Sequence, residues 1–433
     1  MTLSAYYRLL RDNRNFRRLW LAQIVSEMGD WFYILSIYSL LLQFTGRAQS
    51  VGLALVLQVL PSTLVGPTAG VLNDRIRRKY VMIAADLARM VIVACMMLVR
   101  SPRMVWLVYP LLFLETVMYG FFEPARSAVI PNVVGHEHVL TANTVSSTTW
   151  SVNFAVGSAL GGLVAVWLGH DAVFMLNSLS FLVSAFLIRG MRFDEPHAAG
   201  PTPFHVRELV NFSPVAEGIR YIRADRRLLA TVLLKAGIGI MGANWVIFPI
   251  MGARVFPVRV GALDAARSAT LGMSLLMGAR GVGAFFVPLS ASQWAANRGS
   301  RMRAGILAGF LAGGLGYIAL AGAPTLALAC AAVVAAHGGS SVVWVFSTTL
   351  LQRYSDDRFR GRVFAADLGI FMFMIAASGA LASIFIDRGI DVRTVARATG
   401  LAMLVPALVW FWALRLWRET GTGSTVPSPN SIE

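Results

Sequence analysis

Charge is what this sequence has least of. Charged residues make up 14% of its 433 positions, where a soluble domain carries roughly 25%. Hydrophobic residues reach 56% and the mean hydropathy is +0.64, which excludes an ordinary water-facing surface. Lysine is nearly missing: only Lys79 and Lys235 occur among 38 basic residues. The arginines sit in short connections between apolar runs and not on one polar face. The net charge of +16 therefore does not read as a nucleic-acid surface. Only two cysteines occur, Cys95 and Cys330. They lie far apart inside apolar runs, as small hydrophobes, with no disulfide framework or thiolate metal site.

Other absences exclude other functions. No Gly-x4-Gly-Lys-Ser/Thr loop is present, so nothing would cradle nucleotide phosphates and drive by ATP is not expected. No nucleophile–base or metal constellation suggests an enzyme, and no cofactor is implied. His136-Glu137-His138 comes nearest, but the i, i+2 spacing turns the histidines apart on a helix, so it reads as a solvated loop. The first residues are basic and run into a long span without a small-residue cleavage site, so no signal peptide is expected.

What is present is a series of apolar runs near the ~20 residues that cross a bilayer. Spans are expected near 17–44, 51–72, 80–99, 104–122, 141–167, 171–190, 228–253, 268–292, 304–323, 325–351, 363–386 and 396–417. The reading is an all-α membrane protein with 12 transmembrane helices in two six-helix bundles, residues 1–190 and 228–417. Between them, 191–227 reads as a cytoplasmic linker: Pro196, Pro201 and Pro203, then an amphipathic run from Val206 to Arg227 lying along the membrane face. The tail 418–433, rich in Gly, Ser, Thr and Pro, is expected to be disordered. With the N-terminus placed in the cytoplasm, inside segments hold 26 Lys and Arg and outside segments 9. That bias puts both termini inside. The halves also echo one another. Asp74-Arg75-x-x-Arg78 after span two matches Asn297-Arg298-x-x-Arg301 after span eight. Asp30-Trp31 matches Asn244-Trp245, and Thr141-Ala142-Asn143 matches Ala365-Ala366-Asp367. Such duplication makes the two bundles pseudo-symmetric.

An ionisable group in mid-membrane costs at least ~2.5 kcal/mol on insertion scales, so it faces protein or water and marks function. In span one, Gln23, Glu27 and Asp30 share one helical face. Asp30 lies about 18 Å in from Arg18 at ~1.5 Å per residue. Span four carries Glu115, Tyr119 and Glu123; span seven Lys235; span ten His337, Ser341, Trp344 and Thr348. Asp30, Glu27 and Glu115 are the candidates for carrying a proton, because desolvation favours the neutral form of a carboxyl group. The alternative is that these acids pair with arginine or lysine and lock one conformation. Gln23, Trp31, Tyr119, Lys235, Arg280, His337 and Trp344 are the candidate substrate-cavity residues. Glu123 reads as a local partner of Arg126, and Asp86 with Arg89 as a structural pair at i, i+3. Arg280 either binds an anionic substrate or pairs with a span-one acid. His337 is either a helix contact or a proton relay.

The loop Gly70-Val71-Leu72-Asn73-Asp74-Arg75-Ile76-Arg77-Arg78-Lys79 packs charge into a turn too short to cross a bilayer. Its Gly-x-x-x-Asp-Arg-x-x-Arg-Lys pattern resembles the signature loop of the major facilitator superfamily. Asn15-Phe16-Arg17-Arg18-Leu19-Trp20 with Gly29-Asp30-Trp31, Leu60-Pro61 through Gly66-Pro67, Pro124-Ala125-Arg126-Ser127-Ala128 with Ile130-Pro131, and Arg360-Gly361-Arg362-Val363-Phe364 extend the resemblance. These motifs look like the drug- and siderophore-exporter branch, which holds macrolide efflux proteins and the enterobactin exporter. The resemblance implies the major facilitator fold, a central cavity lined by spans one, four, seven and ten, and alternating access. Those four spans are the ones that carry the polar stripes. It also implies a conformational latch at Gly70, Asp74, Arg75 and Arg78 with Arg126. There the N-terminus of a neighbouring helix, expected to be span eleven, would hold Asp74. The family usually has glycine where Arg77 stands. Gly157-Ser158-Ala159-Leu160-Gly161-Gly162 resembles the antiporter motif with Ser158 in place of its proline; Gly157, Gly161 and Gly162 would still permit close helix packing.

The implied protein is a monomeric secondary transporter of the bacterial inner membrane. It would export a small amphipathic organic molecule, drug or siderophore-like, against protons. Alternatives are uptake or facilitated transport of an organic anion, lysophospholipid translocation, and, from other classes, a membrane enzyme or a substrate-sensing receptor.

Overall fold

The computed structural model describes residues 3–195, 213–259, 261, 263–296, 298–355 and 357–419. Among the described residues every regular element is a helix. That follows from the solvent: lipid offers no partner for a backbone N–H or C=O, and a helix satisfies them within one segment. Eleven helices among the described residues are long and apolar enough to cross a membrane. Span one, Arg14–Thr45, has 32 residues but is not among them, because its polar stripe dilutes its hydropathy. Spans two to six are Ala48–Arg75, Arg78–Cys95, Val108–Val134, Val139–Leu168 and His170–Arg189. Spans seven to twelve are Arg226–Arg254, Ala265–Ala295, Gly299–Gly322, Leu326–Tyr354, Asp357–Asp387 and Val392–Glu419. Side-chain oxygens of Asn13, Asp225, Asp264 and Thr325 cap spans one, seven, eight and ten by accepting from free N–H groups of the first turn.

A short helix, Leu3–Asp12, precedes span one, and another, Ser213–Ala224, precedes span seven. The second falls within the expected amphipathic run. Residues 196–212 of the linker, Asn297 of the internal echo, and 420–433 of the tail lie outside the described residues.

Two spans differ from their expected form. Span four runs on to Val134 through Pro124 and Pro131, so most of the expected loop 122–140 is helix. Proline is tolerated in a membrane helix because neighbours re-satisfy the freed carbonyls. Span seven is broken at Ile240–Ala243 by a turn of 3₁₀-helix. Glycines surround the break. A Cβ at Gly242 would stand 2.5 Å from the Cα of Ile375, so span eleven approaches closer than any side chain allows. The Asn244 side-chain amide donates to the Met241 carbonyl inside the break.

Packing follows one rule twice. Span one packs on five and six, two on four, and three on four and six. Adding six to each number gives the second half: seven packs on eleven and twelve, eight on ten, nine on ten and twelve. Across the seam, five packs on eight and two on eleven, and these two pairs are equivalents. The molecule is thus two pseudo-symmetric six-helix bundles.

The halves are clasped at the face opposite the termini. Span two begins there, and Arg47 at its N-cap offers no side-chain cap. Asp387, at the end of span eleven, supplies it from the other half. Its carboxylate accepts from the Ala48 N–H at 2.8 Å and the Gln49 N–H at 2.9 Å. Arg254 NH2 donates to the Gly46 carbonyl at 3.1 Å, and Ser39 Oγ lies 2.6 Å from Thr270 Oγ1. Farther along the same two spans, a Cβ at Gly66 or at Gly369 would meet nothing within 4 Å, so neither glycine is required there by close packing. Asp387→Ala removes a cap, worth about 1 kcal/mol. A Thr270→Cys reporter in a cysteine-free background should then react several-fold faster with a membrane-impermeant thiol reagent; an unchanged rate would show that the clasp does not hold this face closed.

Candidate functional site

Five carboxyl groups and two guanidinium groups meet inside the first bundle. At the centre is Arg89 of span three, 2% exposed. Its NH2 lies 2.8 Å from Asp30 Oδ2 of span one and 2.7 Å from Glu115 Oε1 of span four. Its Nε donates to the same Glu115 oxygen at 2.8 Å. Asp86, one turn earlier on span three and fully buried, is 3.9 Å from Arg89 NH1. The expected i, i+3 pair is therefore the longest of three contacts, and Arg89 chiefly bridges spans one and four. Its plane rests 4.0 Å from the Phe181 ring centroid and 5.4 Å from that of Tyr119. Asn177 of span six donates to Asp30 Oδ1 at 3.4 Å.

A second knot adjoins the first. Arg126 pairs with Glu123 at 2.5 Å and donates to Gln23 Oε1 at 3.2 Å. Gln23 donates to Glu27 Oε1 at 2.8 Å, and Asn153 of span five donates to Glu27 Oε2 at 3.0 Å. Grouped with the latch on resemblance, Arg126 instead commits its guanidinium to this polar network. A small cleft lined by residues including Glu27, Asp30, Tyr119 and Glu123 opens onto both knots. The Asp30 side chain is 23% exposed and that of Glu123 32%, so these acids can be reached. Two guanidinium groups cannot neutralise five carboxylates. Neutrality here calls for further protons or a cationic group, because unbalanced charge is expensive in lipid.

The second bundle resolves its charge differently. Lys235 Nζ lies 3.2 Å from Asp367 Oδ2 and donates to Thr348 Oγ1 at 3.1 Å. It also sits 3.2 Å from the Trp344 ring centroid. Lys235 and Asp367 are 1% and 2% exposed, so this is a sealed one-to-one pair. His337 does not join it. It is 3.1 Å from the Tyr317 hydroxyl of span nine and packs edge-on against Phe248, which makes it a helix contact.

Between the bundles lies an aromatic wall. Trp31 stacks on Trp245, its counterpart in the second half, at 6.2 Å and 5°. Trp31 also meets Phe154 at 4.5 Å and Trp150 at 5.8 Å. Arg280 sits 4.6 Å from the Phe154 centroid and 4.4 Å from that of Trp245. It donates to Asn244 Oδ1 at 3.2 Å, and it makes no ion pair with a span-one acid among the described residues.

The glycines of span five set these distances. A Cβ at Gly157 would fall 2.8 Å from the Trp31 Cβ, and one at Gly161 2.7 Å from the Phe32 Cα. Gly162 faces Ser274 across the seam just as tightly. At the expected latch, Arg78 donates to the carbonyls of Asn73 and Ala128, both at 3.1 Å, and Arg75 is half-buried. Gly70 and Asp74 are helical in backbone, and their surroundings lie outside the described side chains. Sequence reasoning did not single out Asn153, Phe154, Trp150, Asn177 or Asp387, and it noted Asp367 only as part of the echo. The first three share a face of span five at i, i+3 and i+4, which was a readable signal.

Residues 19–366, from span one into span eleven, match the Major Facilitator Superfamily. The chain is 26% identical over 227 residues to an uncharacterized MFS-type transporter, YfiS, of Bacillus subtilis. That match takes in 52% of this chain and 53% of the relative. It is 28% identical over 226 residues to macrolide efflux protein A of Streptococcus pyogenes, 51% of this chain and 54% of that one. The chain thus spans about half the length of these relatives. An uncharacterized MFS-type transporter of Mycobacterium tuberculosis is matched more fully, 26% over 388 residues, 84% and 83% of the two chains. Among solved structures, the nucleoside transporter NupG (D323A mutant) superposes with a TM-score of 0.75 at 10% identity, over 92% of this chain and 99% of that one. A bacterial homologue of the human lysosomal transporter Spinster, inward-facing and unoccupied, gives 0.69 at 13% identity, over 98% and 100%. The family match runs through the first bundle and most of the second, over the same pseudo-symmetric helices that the packing reveals: the chain belongs to the Major Facilitator Superfamily.

Proposed function

We propose that the protein is a multi-pass secondary transporter that exports a small amphipathic organic molecule by alternating access, in exchange for protons. The observation that carries the proton arm is the excess of carboxyl groups around Arg89. Asp30, Asp86 and Glu115 compete for one guanidinium in a medium that cannot solvate the surplus. Protons entering and leaving this cluster change its balance, and with it the pull between spans one, three and four. Asp30 is the nominated carrier, being exposed to the cleft and bonded to Arg89. Glu27 and Glu115 are its neighbours in the same relay.

The substrate arm rests on the aromatic wall. Trp31 and Trp245 come from equivalent places in the two halves, so a molecule lying against them touches both. Outward direction is taken from the likeness to macrolide efflux protein A. The Lys and Arg bias supports both termini lying in the cytoplasm, and the reading takes the protein as a monomer in a bacterial inner membrane. Gly70, Asp74, Arg75 and Arg78 are proposed as the latch at that face, and the clasp at Asp387 closes the other. Catalysis is not part of this reading, since the superfamily consists of transporters.

Purified protein in sealed liposomes, with a pH dye inside and a panel of amphipathic drugs and siderophores outside, tests the coupling. Substrate-dependent pH change should appear with the native protein and disappear in Asp30→Asn; tracer movement without any pH change would refute proton exchange. Stability gives a separate check. Asp30→Asn leaves Arg89 with Glu115 and Asp86, so its melting temperature should stay close to that of the native protein. Arg89→Ala strands three acids in the bilayer, a loss of about 3–5 kcal/mol on the scale of broken buried pairs. It should fold poorly or melt many degrees lower; equal stability of the two variants would show that Arg89 does not organise the bundle.

A further inference from the structure

Arg280 is a half-buried cation that the proton cycle leaves unused and that, unlike Lys235, has no carboxylate partner among the described residues. It lies on span eight where the bundles meet, and no carboxylate stands within 4 Å of its guanidinium among the described residues. An unpaired guanidinium at this depth is costly, and such a residue is a functional candidate by default. Its surroundings are built to hold the charge without cancelling it. Phe154 of span five and Trp245 of span seven lie 4.6 and 4.4 Å away by ring centroid, one from each half. Such contacts favour a cation over the ring faces. Asn244 accepts one N–H at 3.2 Å. The other N–H groups have no acceptor among the described residues, and Arg280 is half-buried rather than sealed. A planar group fixed by rings and one amide presents its remaining donors in a set direction. That geometry suits two-point binding of a carboxylate, the arrangement arginine makes best. Trp31 and Trp245 stack within 5° of parallel beside it, and Trp31 is 9% exposed, so this is a closed stack that a planar ring would enter by separating the two indoles.

From this we infer that the transported molecule carries an acidic group, a carboxylate on a planar aromatic framework, which Arg280 receives while the Trp31–Trp245 wall takes the ring. This assignment rests on the transport reading above but not on its proton arm. The first bundle holds the surplus of acids; the lone cation stands outside it, across Phe154. The two sites therefore accept opposite charges, a proton in one and an organic anion in the other.

Calorimetric titration of the purified full-length protein, with no membrane and no pH gradient, separates the possibilities. The probes are 1-naphthoate, 1-naphthalenemethanol, 1-naphthylmethylammonium and dodecanoate. Naphthoate should bind at least about tenfold tighter than the alcohol or the amine. Arg280→Gln should erase that preference while still binding the alcohol, which shows the wall intact; Arg280→Lys should keep part of it, as charge without the fork. Dodecanoate, an acid from the lipid side, should bind more weakly than naphthoate, and equal binding would overturn the aromatic assignment. Naphthoate binding no tighter than the alcohol, or unaffected by Arg280→Gln, would overturn the proposal. Naphthoate binding without a pH change in liposomes would sink proton exchange and leave this inference standing. Proton exchange driven by amines alone would do the reverse.

Discussion

A guanidinium held among carboxyl groups, with almost no water to screen it, sets the geometry of the first bundle. Arg89 gathers acids from spans one, three and four, and Asp30 then draws in Asn177 from span six. Four of six helices thus converge on one charge. In water such contacts would be worth little. Among helices whose apolar faces gain nothing from leaving lipid, interhelical polar contacts and close packing are what association depends on. The glycines of span five complete the arrangement. They let span five lie against Trp31 and Phe32, which brings Asn153 onto Glu27. Change the number of protons on the cluster and the same helices feel a different balance.

The second bundle repeats the packing without repeating the charge. Lys235 and Asp367 neutralise one another and are closed off from solvent, so this pair has no reason to exchange a proton while it stays shut. It departs from the first bundle in backbone instead: the 3₁₀ break at Ile240–Ala243 and the close approach of span eleven at Gly242. One half carries a charge imbalance and the other a structural joint, and Trp31 and Trp245 meet where the two halves face each other.

Much of this was legible in the sequence. The count of spans, the division into halves and the polar stripes on spans one, four, seven and ten depend on composition and on helical period, both local properties. Glu27, Asp30 and Glu115 stood out because an acid in an apolar run is costly wherever it points. Who pairs with whom was less accessible. Asp86 and Arg89 looked like partners from spacing alone, but Arg89 reaches two other helices first. Span four outran its expected end because the apolar run that marks the lipid-facing stretch stops before the helix does, and Pro124 and Pro131 are accommodated within it. Asp387 was invisible as a clasp because its partners are backbone N–H groups of another half, which carry no residue identity at all.

The two arginines at the heart of the membrane put the two halves of the cycle in contact. Arg89 has more acid around it than it can answer, and Arg280 has none. Between them stand Trp31 and Phe154, and Asn153, beside Phe154, holds Glu27. Arg280 is gripped by one ring from each half, so the halves cannot rock apart without loosening one of those contacts. Whatever occupies Arg280 therefore binds one arrangement of the halves better than the other, and that difference is the whole of what a ligand contributes to a conformational change. Such rocking would move span five, and with it Asn153 against Glu27 at the edge of the acid cluster. On the proposed cycle, coupling needs no chain of relays: one helix carries a face of the proposed anion site and a hydrogen bond to Glu27 of the proposed proton site, and it cannot shift for one without shifting for the other.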